Sequence, residues 1–210
     1  SPAILDELMS IAQRNKVTCI ADEVMTGFGR TGTIFATDQT RHKPDLMCMS
    51  KGITGGFLPL GVTAVADFIV EAFATADLSK TFFHGHSFTA NPLACAAAIA
   101  SMKLLLNESC LRQRKMIERS HRAFAGKIGG DARVKDVRVT GTILALDINT
   151  GDTSYFNDIR TKVMPFFLER NILLRPLGNV IYVLPPYVVK EEELATVYDA
   201  VIEFLDVFVA

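Results

Sequence analysis

The chain has 210 residues, 49% of them hydrophobic and 21% charged, which is enough apolar material to bury a core in one large domain or two small ones. A formal net charge of -1 gives no long-range field to recruit nucleic acid or an anionic membrane, and so points to a small-molecule partner. No apolar run reaches the length of a membrane span, the N-terminus lacks the regions of a signal peptide, and Cys19, Cys48, Cys95 and Cys110 show no C-x-x-C pairing, so a reducing cytoplasm is the expected setting.

Ser1 and Pro2 suit an N-cap and a first helical position, and Ile4, Leu5, Leu8, Ile11 and Ala12 then fall on one face of a helix that ends near Asn15. Val17 to Ala21 reads as a short buried strand closed by Asp22 and Glu23. After a glycine-rich loop come two more apolar strands, Leu46 to Met49 and Leu60 to Ala66, the second following a Gly55-Gly56 turn. A long Ala-rich helix spans Asn91 to about Asn107, with Pro92 in its first turn. This succession reads as part of an α/β layer.

A second helical stretch continues to about Phe124, and its Arg112, Arg114, Lys115, Arg119 and Arg122 stand at the spacing of a solvated helix face. Strands are expected near Val134 to Val139 and Ile143 to Ile148, a helix near Phe156 to Arg170, and strands near Ile172 to Arg175 and Val180 to Leu184. The closing helix starts near Lys190, with Glu191, Glu192 and Glu193 at its positive end. This half reads as a separate α+β domain, with the boundary near residues 107 to 110, giving domains 1–108 and 109–210.

Gly27-Phe28-Gly29-Arg30-Thr31-Gly32 fits the G-x-G-x-x-G pattern of dinucleotide sites, but the context disagrees. Two carboxylates end the preceding strand and would repel a pyrophosphate. No amphipathic helix opens after Gly32, and no acid ends a following strand about 20 residues on. A flexible turn explains the glycines taken alone. A stronger signal is Asp22 at the end of one buried strand and Ser50-Lys51-Gly52 at the end of the next. In open α/β sheets ligands bind beyond the carboxyl ends of strands, and neighbouring strands lie about 4.8 Å apart, so Asp22 and Lys51 can face one aromatic ring. Pyridoxal phosphate needs such a pair: a carboxylate to keep its ring nitrogen protonated, and an amine to hold its aldehyde carbon and shuttle protons. Spacing alone leaves an ordinary surface lysine and a capping or ion-paired aspartate open as alternatives. His84 and His86 flank Gly85 in one loop, without a further His or Cys pattern to suggest metal ligation.

The run Ala21-Asp22-Glu23-Val24-Met25-Thr26-Gly27-Phe28-Gly29-Arg30-Thr31-Gly32, followed by Lys43-Pro44-Asp45 and Ser50-Lys51-Gly52, resembles class III pyridoxal-phosphate aminotransferases. So does His84-Gly85-His86-Ser87-Phe88-Thr89-Ala90-Asn91-Pro92-Leu93-Ala94-Cys95-Ala96, and the resemblance extends over essentially the whole chain. It implies the fold of a fold-type-I enzyme: the C-terminal part of the large α/β domain plus a small C-terminal α+β domain. It implies that Asp22 pairs with the pyridine nitrogen and that Lys51 carries the cofactor through its amine. Ser87 stands where the family usually has Thr, a hydroxyl that reaches the cofactor phosphate of the neighbouring subunit, so a homodimer with shared sites is implied.

Arg175-Pro176-Leu177-Gly178-Asn179-Val180-Ile181-Tyr182-Val183-Leu184-Pro185-Pro186-Tyr187 resembles the biotin-pathway branch, which moves an amino group from S-adenosylmethionine to a keto-amino acid. Ornithine-type and aminobutyrate-type relatives tend to carry arginine at the position of Tyr182 and glutamine at that of Met25. By this likeness Arg175 holds the substrate carboxylate through its planar fork, with Tyr182 and Gly85 also at the substrate. On local pattern alone, Arg175 caps a strand edge and Tyr182 fills core. Family enzymes are about twice this length, the remainder lying before Ser1, where it supplies the main phosphate loop, a ring-stacking aromatic and much of the dimer interface. A truncated, non-catalytic remnant is the competing reading.

Overall fold

The computed structural model describes residues 1–149 and 159–209. The chain divides into two compact units, Ser1–Asn107 and Glu108–Ala210.

In the first unit, helix α1 (Pro2–Arg14) starts at Ser1 and ends at Asn15, as its proline and cap positions predict. The predicted apolar face is not the one it buries. Ile4 and Leu8 remain 64% and 59% exposed, while Asp6 and Met9 are buried. The cause is polar. The Asp6 carboxylate accepts the backbone N–H groups of Arg41 (2.8 Å) and His42 (3.0 Å), accepts Arg41 Nε (2.9 Å) and pairs with His42 Nδ1 (2.9 Å), which turns the helix toward that loop. These bonds, led by the His42 backbone N–H, hold the Asp6 carboxyl well below the usual carboxylate range.

Strands β1 (Ile20–Asp22), β2 (Leu46–Met49) and β3 (Val62–Val65) form a sheet in that order, β1 parallel to β2 and β2 antiparallel to β3. β1 is shorter than its apolar run. The Cys19 N–H is taken by Asp45 Oδ2 at 2.7 Å, while Cys19 O still accepts Leu46 N at 3.1 Å. A short helix unforeseen from sequence, α2 (Asp67–Phe73), precedes α3 (Pro92–Leu105). The α3 start is well specified: Asn91 Oδ1 accepts Leu93 N at 2.9 Å and Ala94 N at 3.4 Å, and Pro92 has no N–H to orphan. Helix α3 packs against the 3-10 turn Lys51–Thr54, and Ser101 Oγ donates to Gly52 O at 3.3 Å.

The second unit comprises α4 (Glu108–Ile128), β4 (Val134–Thr140), β5 (Ile143–Ile148), α5 (Ile159–Leu168), β6 (Val180–Val183) and α6 (Glu191–Phe208). Its strands form an antiparallel sheet in the order β4-β5-β6. Leu144, Leu146 and Ile148 of β5 point to the buried face, and Leu144 and Leu146 stand opposite Val183 and Ile181 of β6. Ile117 and Phe124 of α4 and Val201, Phe204 and Leu205 of α6 cover them. Each such side chain contributes roughly 1.5–3 kcal/mol by leaving water.

Two expectations for this unit need correction. The strand expected near Ile172 to Arg175 does not form. Ile172 and Leu174 are buried while Leu173 and Arg175 are exposed, an alternation that records one-sided burial, but a ladder also needs a neighbouring edge. Here the chain turns at once into β6 through a tight pairing in which Leu177 N donates to Val180 O (2.9 Å) and Val180 N to Leu177 O (3.0 Å), with Gly178 at φ 58°. Nor is the basic stretch wholly solvated. Arg112, Arg119 and Arg122 pair with Glu108, Glu191 and Glu118, but Arg114 is buried, because it shares the inner stripe of α4 with Ile117, His121, Phe124 and Ile128. Its guanidinium lies 5.9 Å from the Tyr187 ring centroid. The predicted helix start at Phe156 lies outside the described residues.

Within this core, His121 Nδ1 is 2.6 Å from the Tyr198 hydroxyl and Nε2 is 3.2 Å from Thr142 O. Burial pushes the His121 imidazole down to about 4 and, with the Glu191 charge, pushes the Tyr198 phenol up. Among the described residues no single helix is long and apolar enough to cross a membrane, and no group of His, Cys, Asp and Glu is arranged to hold a metal.

Candidate active site

Because β1 and β2 are parallel, Asp22 and Lys51 leave the sheet at the same edge. Asp22 stands opposite Cys48, and Glu23 N prolongs the ladder to Cys48 O at 2.9 Å. Asp22 is exposed, and its Oδ1 accepts Val24 N at 3.0 Å. Lys51, the second residue past β2, is also exposed and has φ 44°. That left-handed backbone costs a residue with a Cβ about 1 kcal/mol and persists only where the surroundings impose it. They do so here. Ser50 Oγ donates to Leu60 O at 2.8 Å, Gly56 N donates to Lys51 O at 3.1 Å, and Gly55 N donates to Gly52 O at 3.0 Å.

The glycine-rich loop bears on Lys51 through packing. Phe28, buried and at φ 60°, meets Phe35 edge-on with centroids 5.6 Å apart. Phe28 also packs on Gly52, where a Cβ would stand 2.8 Å from Phe28 Cβ and Cδ2. Gly27 is equally constrained, since a Cβ there would lie 2.8 Å from Glu23 O. Gly27 and Gly52 are thus explained by close approach of protein to protein, and Gly29 and Gly32 of the G-x-G-x-x-G run by left-handed backbone at φ 95° and 104°.

Glu23, which in the sequence reads as a carboxylate closing the strand, is 1% exposed and fully engaged. Its Oε1 accepts Thr37 N (2.8 Å) and Thr37 Oγ1 (2.9 Å), and its Oε2 accepts Ala36 N (3.1 Å) and Thr26 Oγ1. No local spacing marks this role, because the main partners lie 13 and 14 residues further on. Asp22, Glu23, Thr26 and Thr37 line a cavity of about 270 Å³ that Lys51 does not line.

Gly85 and Ser87 are exposed on the loop before α3. That loop is tied to itself, by His86 N to Thr89 Oγ1 at 3.0 Å and Phe88 N to His86 Nδ1 at 3.1 Å, with Ala90 at φ 54°. Arg175 and Tyr182 belong to the second unit. They stand on either side of the Leu177–Val180 turn and line one cavity of about 590 Å³ with Leu184, Pro185 and Val189. The structure therefore brings together Asp22 with Lys51 at one sheet edge, and Arg175 with Tyr182 in one cavity.

Residues 1–205 match the family model for class-III aminotransferases. The chain belongs to that family. It is similar to the adenosylmethionine-8-amino-7-oxononanoate aminotransferase of Synechococcus elongatus, 44% identical over 205 residues that cover 98% of this chain and 48% of the relative. Among solved structures it is similar to the adenosylmethionine-8-amino-7-oxononanoate aminotransferase of Methanocaldococcus jannaschii, at 32% identity and a TM-score of 0.88 over 96% of this chain and 48% of the other. A Bacillus anthracis aminotransferase gives a TM-score of 0.88 at 28% identity, over 96% and 47% of the two chains. This class-III aminotransferase chain has the α/β fold of its family, and it spans about half the length of the curated relatives it matches.

Proposed function

We propose that this chain forms part of a pyridoxal-phosphate-dependent transaminase that moves the amino group of S-adenosylmethionine to 8-amino-7-oxononanoate, giving 7,8-diaminononanoate in biotin synthesis. The observation that carries the chemistry is the pairing of a carboxylate and a primary amine at the carboxyl ends of adjacent parallel strands, the amine on a left-handed backbone. The substrate assignment rests on the Arg175 to Tyr187 run and on the names of the relatives. The donor set fits the cofactor: Asp22 is an exposed acceptor with one oxygen, Oδ1, bonded to Val24 N, and Lys51 is an exposed amine on a braced turn.

When bound, pyridoxal phosphate supplies a ring that accepts the charge developing at a substrate α-carbon. Asp22 holds a proton at the ring nitrogen. Lys51 would hold the cofactor's aldehyde carbon through the side-chain amine and, once released, would move a proton at the substrate α-carbon. Ser87 donates its hydroxyl to a phosphate oxygen across a homodimer, and Gly85 leaves room beside the substrate. Arg175 pairs with the acceptor carboxylate and Tyr182 closes the same cavity. On this reading the protein works in the cytoplasm, on small-molecule substrates, as a homodimer.

In the protein as its gene encodes it, Lys51→Ala should abolish steady-state transamination, and substantial turnover by that variant would refute the assignment of the amine. Arg175→Ala should weaken use of the keto-amino acid by about 2 to 4 kcal/mol in transition-state terms while the donor half-reaction falls less. Equal losses in both half-reactions would make Arg175 merely structural and leave transfer to another amino-acid acceptor as the better reading.

A further inference from the structure

We infer that Glu23, buried against the loop that follows it, is the positioning residue that sets Asp22 and Lys51 in register. The inference rests on the reading of those two as the cofactor-binding pair. Glu23 is next to Asp22 in the chain but has the opposite environment, buried where its neighbour is exposed. Its carboxylate uses two acceptances on each oxygen to gather Thr26, Ala36 and Thr37, so it closes the loop that leaves β1 back onto the end of β1. The middle of that loop carries Phe28, and Phe28 seats on Gly52, the residue after Lys51. Further bonds keep the intervening chain compact: Gly27 N to Glu23 O (3.0 Å), Gly29 N to Ile34 O (3.1 Å) and Gly32 N to Gly29 O (3.2 Å). A continuous physical path therefore runs from the Glu23 carboxylate through the closed loop and the Phe28 ring to the Lys51 turn. The other end of that loop is the Asp22 backbone itself.

The inference turns on the carboxylate rather than on its shape. An amide of the same size has one acceptor oxygen and one donor nitrogen. In one orientation the nitrogen faces Ala36 N–H, and in the other it faces Thr37 N–H. The hydroxyls of Thr26 and Thr37 can rotate to accept, but a backbone N–H cannot, so either orientation leaves a buried donor opposed to a donor. Glu23→Gln thus loosens the loop closure without opening a cavity.

The test uses the protein as its gene encodes it, with borohydride trapping of pyridoxal phosphate read by mass at Lys51 and cofactor dissociation followed by absorbance. Glu23→Gln should raise the cofactor dissociation constant at least tenfold at a temperature where the variant is fully folded, with a lower trapped fraction at Lys51. Thr37→Val, which removes one hydroxyl donor and keeps the backbone N–H, should shift the constant in the same direction by two- to fivefold and serves if Glu23→Gln does not fold. Phe204→Leu, a core truncation in the second unit, supplies the comparison of lowered stability with unchanged cofactor binding. If Glu23→Gln and Thr37→Val lower the melting temperature as Phe204→Leu does but leave the dissociation constant where it was, Glu23 is structural and the inference is overturned. If the unsubstituted protein itself shows no trapping at Lys51, the failure lies in the assignment of Lys51, and the inference falls with it.

Discussion

Within this chain, the two units bury different kinds of contact. In the second, a continuous set of buried aliphatic and aromatic side chains joins α4, β5, β6, α5 and α6. In the first, Met9, Phe28, Ala94 and Leu105 are the buried hydrophobic residues among those described, while Ile4, Leu8, Ile20, Phe68 and Leu104 are exposed. Its local geometry is set instead by anchored carboxylates: Asp6 on the Arg41 loop, Asp45 on Cys19 and Glu23 on Thr37. Apolar packing is tolerant of direction, whereas a carboxylate that accepts several N–H and O–H groups fixes the backbone that presents them. The proposed chemical pair lies in the directional unit and the proposed substrate cavity in the packed one.

The sharpest way to break this comparison is to truncate the packed core. Phe204 is fully buried and meets Phe166, Phe167 and Phe208 with ring centroids 5.3, 5.8 and 5.1 Å away. Phe204→Ala should cost about 3–5 kcal/mol, and amide hydrogen exchange should rise across α4 and α6 while protection in β1 and β2 stays close to its starting level. Equal loss in both units would show that they share one cooperative transition.

Acid comes next in expected size and also targets the packed unit. His121 is held near a pKa of about 4 in the fold, against 6.5 as a free side chain, so between those values the unfolded chain takes up a proton that the fold refuses. Stability is complete above about pH 6.5 and falls as pH drops toward 4, by roughly 3 kcal/mol in total. Melting temperatures across that range should show the slope, and His121→Gln should flatten it. An unchanged slope would assign the acid sensitivity elsewhere.

The smallest effect belongs to the first unit. Removing the α3 cap with Asn91→Ala leaves Leu93 N and Ala94 N without their acceptor and should cost about 1 kcal/mol. Because α3 backs the Lys51 turn, exchange should quicken at residues 51–54 as well as at the start of the helix. Confinement of the change to residues 91–94 would show that the turn is held without α3.

What was legible in the sequence was whatever neighbours in the chain decide. The caps at Pro2 and Asn91-Pro92 are readable because capping is a local bargain between adjacent residues. Asp22 and Lys51 could be paired because short apolar runs ending in polar residues mark strand ends, and parallel neighbours bring those ends together. The illegible features depend on distant partners. The alternation at Ile172 to Arg175 looked like a strand because sequence reports a buried face but not an absent neighbour. In helix α1 the burial of Asp6 depends on Arg41 and His42, residues 35 and 36 positions away. Glu23 was missed for the same reason. Arg114 reads as solvated by its charge, but its place on the Ile117–His121–Phe124 stripe turns it inward.

The backbone of Lys51 sets the chain's evolution against its thermodynamics. Glycine, or to a lesser degree asparagine, adopts φ 44° more readily than lysine does, by about 1 kcal/mol, so either substitution should relax the turn. A lineage released from any demand for a primary amine at this point would drift toward those residues and gain stability as it did so. Retention of lysine at position 51 is therefore the signature to look for among diverging copies of this chain: it separates those still selected for the amine from those selected for the fold alone.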